Sequence, residues 1–187
     1  MLELIKIFTL TFPLLIPGLA LILVLKLKLF KFLDIPLDLG KSINGKRIFG
    51  DNKTFKGVAI MVSVAILVSN ALYLLYKNGY APYIGSIFSE SPIFIGTIYS
   101  FSYIAGELIN SFIKRQMNIS SGKISYSKFR NFQAFFDLSD GIIVVVLVLI
   151  IFTSVSTDYL LAAGFIGIFL HYLTDVFMNR LGLKQEF

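Results

Sequence analysis

The sequence contains no cysteine and only one histidine in its 187 residues. The absence of cysteine excludes a disulfide framework, a thiol nucleophile and a zinc site of the cysteine type, and it leaves the redox compartment open. A single histidine without cysteine also argues against a histidine-type zinc site. Chemistry in this chain therefore has to come from its other polar side chains.

Charged residues are scarce as well. They make up 15% of the chain, against 56% hydrophobic residues and a mean hydropathy of +0.80. Uncharged runs cover residues 7–25, 58–76, 91–106, 141–157 and 159–170. The longest approach the ~20 residues that cross a bilayer as a helix. They lack the polar faces of a soluble bundle, so the sequence predicts an all-α membrane protein with five transmembrane helices in a single domain, residues 1–187.

The five spans are predicted at about residues 6–25, 58–76, 92–113, 137–157 and 159–178. No small-residue cleavage site follows the first run, so we expect an uncleaved span rather than a signal peptide. Pro13 and Pro17 are expected to kink that span. Residues 26–57 and 114–133 form two large loops that are rich in lysine and arginine.

The distribution of positive charge predicts the orientation. The two loops and the tail, residues 179–187, hold fifteen of the seventeen Lys and Arg residues. Positive loops stay inside, so we expect an N-terminus outside, a C-terminus in the cytoplasm and a multi-pass protein of the plasma membrane. A basic patch on the cytoplasmic side suits lipid headgroups or nucleotide phosphates. The rule that positive loops stay inside explains the same number of cations equally well, without any bound ligand.

The first loop alternates glycines with cations in a way that suits a backbone wrapped around phosphate oxygens. The cations in this part of the loop are Lys46, Arg47, Lys53 and Lys56. Residues 40–46 nearly match a P-loop, but Arg47 occupies the position of the Mg²⁺-binding Ser or Thr, which excludes that motif. An ordinary flexible basic loop is the alternative interpretation.

The third span ends in four polar residues at helical spacing. Glu107, Asn110, Ser111 and Lys114 follow i, i+3, i+4, i+7, which places them on one helix face. Ionisable groups at membrane depth are costly and are usually functional. The alternatives are a neutralising Glu–Lys pair and polar contacts that only join helices.

Two carboxylates follow at the predicted start of the fourth span. Asp137 and Asp140 are three residues apart and share a face, and helix capping needs only one acid. Together with Glu107 they form a set of hard oxygen ligands suited to Mg²⁺. His171 and Asp175 repeat the i, i+4 pattern in the fifth span, where a satisfied buried pair is the alternative.

These motifs, in this order, resemble the CDP-archaeol synthase family, the compact relatives of the CDP-diacylglycerol synthases. The resemblance rests on residues 36–57 of the first loop, on Gly-Glu-Leu-Ile-Asn-Ser-Phe-Ile-Lys-Arg at 106–115, on Asp137-x-x-Asp140, and on the tail from His171 through residues 180–184. It covers nearly the whole chain.

The resemblance implies a Mg²⁺-dependent cytidylyltransferase of phospholipid biosynthesis that moves CMP from CTP to a glycerol-phosphate lipid and releases pyrophosphate. The archaeal substrate is an unsaturated diether lipid. The expected partners are CTP, this anionic lipid and the membrane, without nucleic acid; a homodimer also fits. The site would lie on the cytoplasmic side.

The resulting site prediction has three overlapping parts. The expected catalytic residues are Asp137, Asp140, Lys114 and Glu107. The expected metal ligands are Asp137, Asp140 and Glu107. The residues expected to bind CTP phosphates are Ser111, Lys114, Arg115, Asn110, Lys46, Arg47 and Lys53. Two other functions stay open: a CTP-dependent lipid kinase, for which His171 is the candidate base, and a non-enzymatic helix bundle or transporter.

Overall fold

The computed structural model describes residues 2–81, 86–88, 91–123 and 130–183. This part of the chain contains five long helices: α1 Leu2–Lys26, α2 Phe55–Lys77, α3 Pro92–Gln116, α4 Arg130–Phe152 and α5 Thr157–Arg180. Each is long and apolar enough to cross a membrane. The prediction of a helical protein with five helices of membrane-spanning length is confirmed.

The helices form a closed ring in which chain neighbours pack side by side. The helix α1 packs against α2 and also against α5, which closes the ring. Successive helices run in opposite directions, so α1, α3 and α5 finish at the end where α2 and α4 begin. We call this the polar end, because the first loop, residues 27–54, lies there against α3.

The apolar core occupies the opposite half of the bundle. It comprises Leu10, Leu72, Ala81, Ile87, Phe88, Ile95, Tyr99, Val145, Leu149, Leu160 and Ala163. On the helices these residues fall in the first half of α1, α3 and α5 and the second half of α2 and α4. The charged side chains of α3 and α4 all lie in the other half of these helices, at the polar end.

Glycines bring α3 and α4 into close contact at the polar end. A Cβ added at Gly106 would lie 2.7 Å from the Cα of Gly141, and a Cβ added at Gly141 would lie 2.6 Å from the ring of Tyr103. Small residues allow two membrane helices to approach this closely. The contact sets Glu107, the residue after Gly106, beside Asp140, the residue before Gly141.

Most helix ends differ from the sequence prediction by a few residues, and two of the differences concern the predicted site. The helix α4 begins at Arg130 rather than near Asp137, so Asp137 and Asp140 lie more than a turn inside the helix and do not cap it. Lys114 and Arg115 belong to the last turn of α3 rather than to a loop. Residues 124–129 of the predicted second loop lie outside the described residues.

The first loop has a defined backbone. Strands β1 Ser42–Ile43 and β2 Lys46–Arg47 form an antiparallel hairpin whose turn has positive φ at Asn44 and Gly45. Asn-Gly is the dipeptide that best tolerates this two-residue turn. Near the end of the loop, Thr54 caps α2, its hydroxyl accepting a 3.3 Å hydrogen bond from the N–H of Gly57.

Candidate active site

Two carboxylates of α4 converge on one amide of α3. The Nδ2 atom of Asn110 donates to Oδ1 of Asp137 over 2.8 Å and to Oδ2 of Asp140 over 2.7 Å. The i, i+3 spacing puts both acids on the face of α4 that meets α3. Asn110, from the predicted polar face of the third span, thus meets the two predicted acids of the fourth span in one cluster.

Two lysines neutralise this cluster from different elements. The Nζ atom of Lys114 lies 2.7 Å from Oδ2 of Asp137, and the Nζ atom of Lys53 lies 2.6 Å from Oε2 of Glu107. Burial alone would lower the pKa of Lys53, but the nearby Glu107 outweighs it with help from the two aspartates, so the pKa is raised. Lys53 is therefore held as a cation next to Glu107.

Arg115, in the last turn of α3, carries unsatisfied donors at this end of the bundle. Its side chain is buried, and within the described residues its Nε and Nη1 atoms have no hydrogen-bond partner. Buried guanidinium donors are costly when unpaired and suit carboxylate or phosphate oxygens. The side chain passes beneath Gly50, where an added Cβ would lie 3.6 Å from the Cδ of Arg115.

The first loop is folded around the carboxylate of Asp38, whose side chain is fully buried. It accepts hydrogen bonds from Arg47 and from the backbone N–H groups of Gly40, Phe49 and Gly50, at 2.7–3.2 Å. Burial alone would raise the pKa of Asp38, but these donors outweigh it and hold the pKa well below its usual range. Asp38 therefore shapes the loop that carries Lys53.

Among the described residues, no hydrogen bond or ion pair joins the other predicted phosphate ligands Lys46, Arg47 and Ser111 to the cluster. The Nζ atom of Lys46 donates to the carbonyl oxygen of Gln116 over 2.5 Å, at the C-terminal end of α3 where cations are favourable. Arg47 binds Asp38 and, over 2.7 Å, the carboxylate of Asp51. Ser111 is buried, and among the described residues no hydrogen bond joins it to the cluster. The ligand roles of these three residues stay predictions.

His171 lies on the α5 side of the cluster. Its Nδ1 atom is 2.9 Å from the carbonyl oxygen of Leu138, and since a carbonyl can only accept, Nδ1 carries the proton. Its Nε2 atom is 3.9 Å from Oδ1 of Asp175, and its ring is 6.1 Å from that of Tyr103. The predicted His–Asp neighbourhood is thus present, and Tyr103 adds a hydroxyl next to Glu107.

Sequence reasoning gave no role to Asp38, Tyr103 or the two glycines of the α3–α4 contact. Asp38 had a signal, because an Asp followed two residues later by a glycine is typical of an Asx turn, and Gly40 does donate to it. The signal for the glycines was weaker, since Gly106 precedes Glu107 and Gly141 follows Asp140 in the sequence. Nothing in the sequence pairs Tyr103 with Glu107.

The donor set fits a magnesium ion held by two carboxylates. Among the described residues no group of three or more His, Asp or Glu side chains forms a ready metal cluster. Asp137 and Asp140 nevertheless each place one carboxylate oxygen within 2.8 Å of the same atom, Nδ2 of Asn110. Mg²⁺ is commonly bound by one or two carboxylates together with substrate phosphates. Glu107 is engaged by Lys53, and its metal role stays a prediction.

Five membrane-length helices with acids and cations at one end define a multi-pass membrane protein with a site suited to an anionic ligand. A family model described as CarS-like, CDP-archaeol synthase, matches residues 3–187. This chain belongs to the CDP-archaeol synthase family, and the resemblance seen in the sequence is confirmed.

Relatives named CDP-archaeol synthase support this assignment. The protein of Pyrobaculum calidifontis is 31% identical over 152 residues, which cover 81% of this chain and 80% of the relative. That of Archaeoglobus fulgidus is 36% identical over 89 residues, covering 46% and 49%. A solved structure described as an intramembrane enzyme for archaeal membrane lipid biosynthesis has a TM-score of 0.60 at 17% identity, covering 88% of this chain and 92% of that one. This similarity supports the fold.

Proposed function

We propose that this protein transfers the cytidylyl group of CTP to an ether-linked glycerol-phosphate lipid and releases pyrophosphate. The observation that carries the proposal is the convergence of Asp137 and Asp140 on Asn110, beside Lys114 and the buried guanidinium of Arg115, two of whose donors find no partner in the described part of the chain. Such a group of two acids and two cations at one end of a membrane bundle can receive a triphosphate with its metal ion.

The reaction places the strongest demand on charge neutralisation. A phosphate oxygen of the lipid attacks the α-phosphorus of CTP, which brings two anions together, and the bond to the pyrophosphate oxygen breaks. Lys114 and Arg115 offset charge on the phosphates of CTP. A lipid phosphate is already ionised near neutral pH, so the attack needs no general base. His171, whose Nδ1 atom is committed to Leu138, is not required to take a proton.

Magnesium completes the proposal. Asp137 and Asp140 would hold the ion, and when bound it supplies positive charge to phosphate oxygens. Asn110 keeps the two carboxylates together in the absence of other ligands. Lys53 holds Glu107 near the pair and keeps the first loop over the site.

The polar end is proposed to face the cytoplasm of a cell whose plasma membrane holds the protein. The support is the charge count: fifteen of seventeen cations lie in the two loops and the tail that join the helices at this end or extend from it. A cytoplasmic site also has direct access to CTP. Cysteine placed at Asn44, in the hairpin turn, is expected to react with a membrane-impermeant thiol reagent only after the cells are opened.

Two radioactive forms of CTP test the proposed reaction. The purified protein in vesicles receives Mg²⁺, CTP labelled at either the α- or the γ-phosphate, and one lipid from a panel of ether and ester glycerol phosphates and their alcohols. We expect the α label on the lipid and the γ label in pyrophosphate. Transfer of the γ label to a lipid alcohol would indicate a kinase instead, and absence of both labels from every ether and ester lipid would contradict enzymatic transfer.

A further inference from the structure

A segment that combines exposed apolar and basic side chains leads from the last residue of α1 towards α2; we call residues 26–35 the apolar–basic segment. Its large apolar side chains are 43–73% exposed: Leu27, Leu29, Phe30, Phe32 and Ile35. Lys26, Lys28 and Lys31 alternate with them and are also exposed. Nothing in the catalytic proposal uses these residues.

The backbone of the segment is held in a conformation that presents these side chains outward. Lys28 and Phe30 have φ values of 53° and 51°, in the left-handed region that glycine adopts without steric cost. The N–H of Leu29 donates to the carbonyl of Val24 over 3.0 Å, and that of Lys28 to Leu25 over 3.1 Å, so the chain turns sharply out of α1. These hydrogen bonds hold two non-glycine residues in a costly conformation, and both side chains remain exposed.

Both ends of the segment are fixed to membrane-spanning helices. At 25 residues α1 is about 37 Å long, which exceeds the ~30 Å hydrocarbon core, and this length allows its last turn, which ends in Lys26, to lie in the headgroup layer. At the other end, Asp34 forms a 2.6 Å ion pair with Lys56, a buried residue in the first turn of α2. The N–H of Phe55 also donates to the carbonyl of Ile35 over 3.0 Å. The segment therefore stays level with the helix ends.

We propose that residues 26–35 lie in the interfacial layer of the bilayer and bind anionic lipid headgroups. The apolar side chains would enter the layer below the headgroups, and Lys26, Lys28 and Lys31 would contact lipid phosphates. The only acid of the segment, Asp34, is already neutralised by Lys56. A second copy of the chain on this face would bring two sets of three lysines together, so a negative lipid surface is the better complement.

Fluorescence quenching tests the position of the segment, because the chain contains no tryptophan. The variant Phe32→Trp is reconstituted in vesicles whose lipids carry bromine either near the headgroup or deep in the acyl chain. We expect at least about twofold stronger quenching by the shallow bromine. Ile43→Trp, in the hairpin of the same loop, is the control for no quenching, and Ile143→Trp, an exposed position near the middle of α4, is the control for deep quenching.

Anionic lipid provides the second comparison. Quenching of Phe32→Trp should increase when part of the neutral lipid is replaced by anionic lipid, and the additional substitutions Lys28→Gln and Lys31→Gln should remove most of that increase. Emission from Phe32→Trp that matches Ile43→Trp in every vesicle would overturn the proposal. A second result would also overturn it: Phe32→Trp emission that is shielded from water, is not quenched by brominated lipid and shows energy transfer between copies. Such emission would place a second chain on this face.

Discussion

The ammonium group of Lys53 lies 2.6 Å from the carboxylate of Glu107, although 54 residues separate them in the chain. This ion pair joins the first loop to α3 directly beside the Asp137–Asp140 pair. It fixes the loop over the polar end and keeps a third acid neutralised near the proposed metal site. The loop and the helix bundle therefore form one site.

Removal of Lys53 should destabilise the protein and impair transfer. Lys53→Met leaves the Glu107 carboxylate without its partner, which we expect to cost about 1–2 kcal/mol for a pair whose side chains are roughly one-quarter exposed. Thermal unfolding in detergent measures the effect. The variant Glu107→Gln and the double variant complete a double-mutant cycle. If the losses of stability in the two single variants add up to the loss in the double variant, Lys53 and Glu107 do not stabilise each other.

Asp140→Asn should abolish cytidylyl transfer while the protein still folds. The substitution keeps the shape of the side chain and an oxygen for Asn110, but it removes one of the two charges proposed to hold Mg²⁺. We expect a loss of at least about 100-fold in transfer of label from α-labelled CTP to the lipid. Asp158→Asn, in the first turn of α5 at the opposite end, is the matched control and should retain normal rates. Retained transfer in Asp140→Asn would remove the metal role.

Helical periodicity allowed much of the site to be predicted. Glu107, Asn110 and Lys114 were placed on one face by their spacing, and Asp137 and Asp140 on another, because a helix repeats every 3.6 residues whatever surrounds it. Hydropathy located the five spans because the thickness of the bilayer fixes the length of an apolar helix that crosses it. These features depend on local sequence alone.

Long-range contacts could not be predicted in this way. The sequence shows Lys46, Arg47 and Lys53 as three similar cations, yet one meets the end of α3, one binds Asp38 and one pairs with Glu107. Which partner each cation takes depends on the fold of the loop. The start of α4 was placed seven residues too late, because residues 130–136 are partly polar and resemble a loop by composition.

Arg115→Lys should weaken CTP binding more than it changes stability. The guanidinium has two buried donors without a partner among the described residues, and a lysine cannot present two donors in one plane. We expect the KM for CTP to rise about tenfold, with a smaller change in kcat, in assays over a range of CTP concentrations. Arg180→Lys, in the last turn of α5, is the control. An unchanged KM would contradict phosphate binding by Arg115.

Asp38→Asn should lower the melting temperature by about 3–6 °C near neutral pH, because the buried carboxylate organises five donors of the first loop. The folded pKa of Asp38 is depressed, so its contribution is present above the unfolded value of about 4 and is lost as the pH falls towards the folded value. The difference between wild type and variant should thus be constant from pH 5 to about pH 8 and narrow below about pH 4. Asp51→Asn, which removes an exposed partner of Arg47, should have a smaller effect.

Gly106→Ala should damage the site through the backbone alone. The added methyl group would lie 2.7 Å from the Cα of Gly141, so α3 and α4 must separate, and with them Asn110 from Asp137 and Asp140. We expect transfer activity to fall about 100-fold, since a shift of about 1 Å is enough for such a loss. Gly18→Ala is the matched control, because a Cβ at Gly18 meets nothing within 4 Å. Equal loss of activity in both variants would show that the distance between α3 and α4 is not the cause. Loss in Gly106→Ala alone would show that this contact sets the spacing of the catalytic acids.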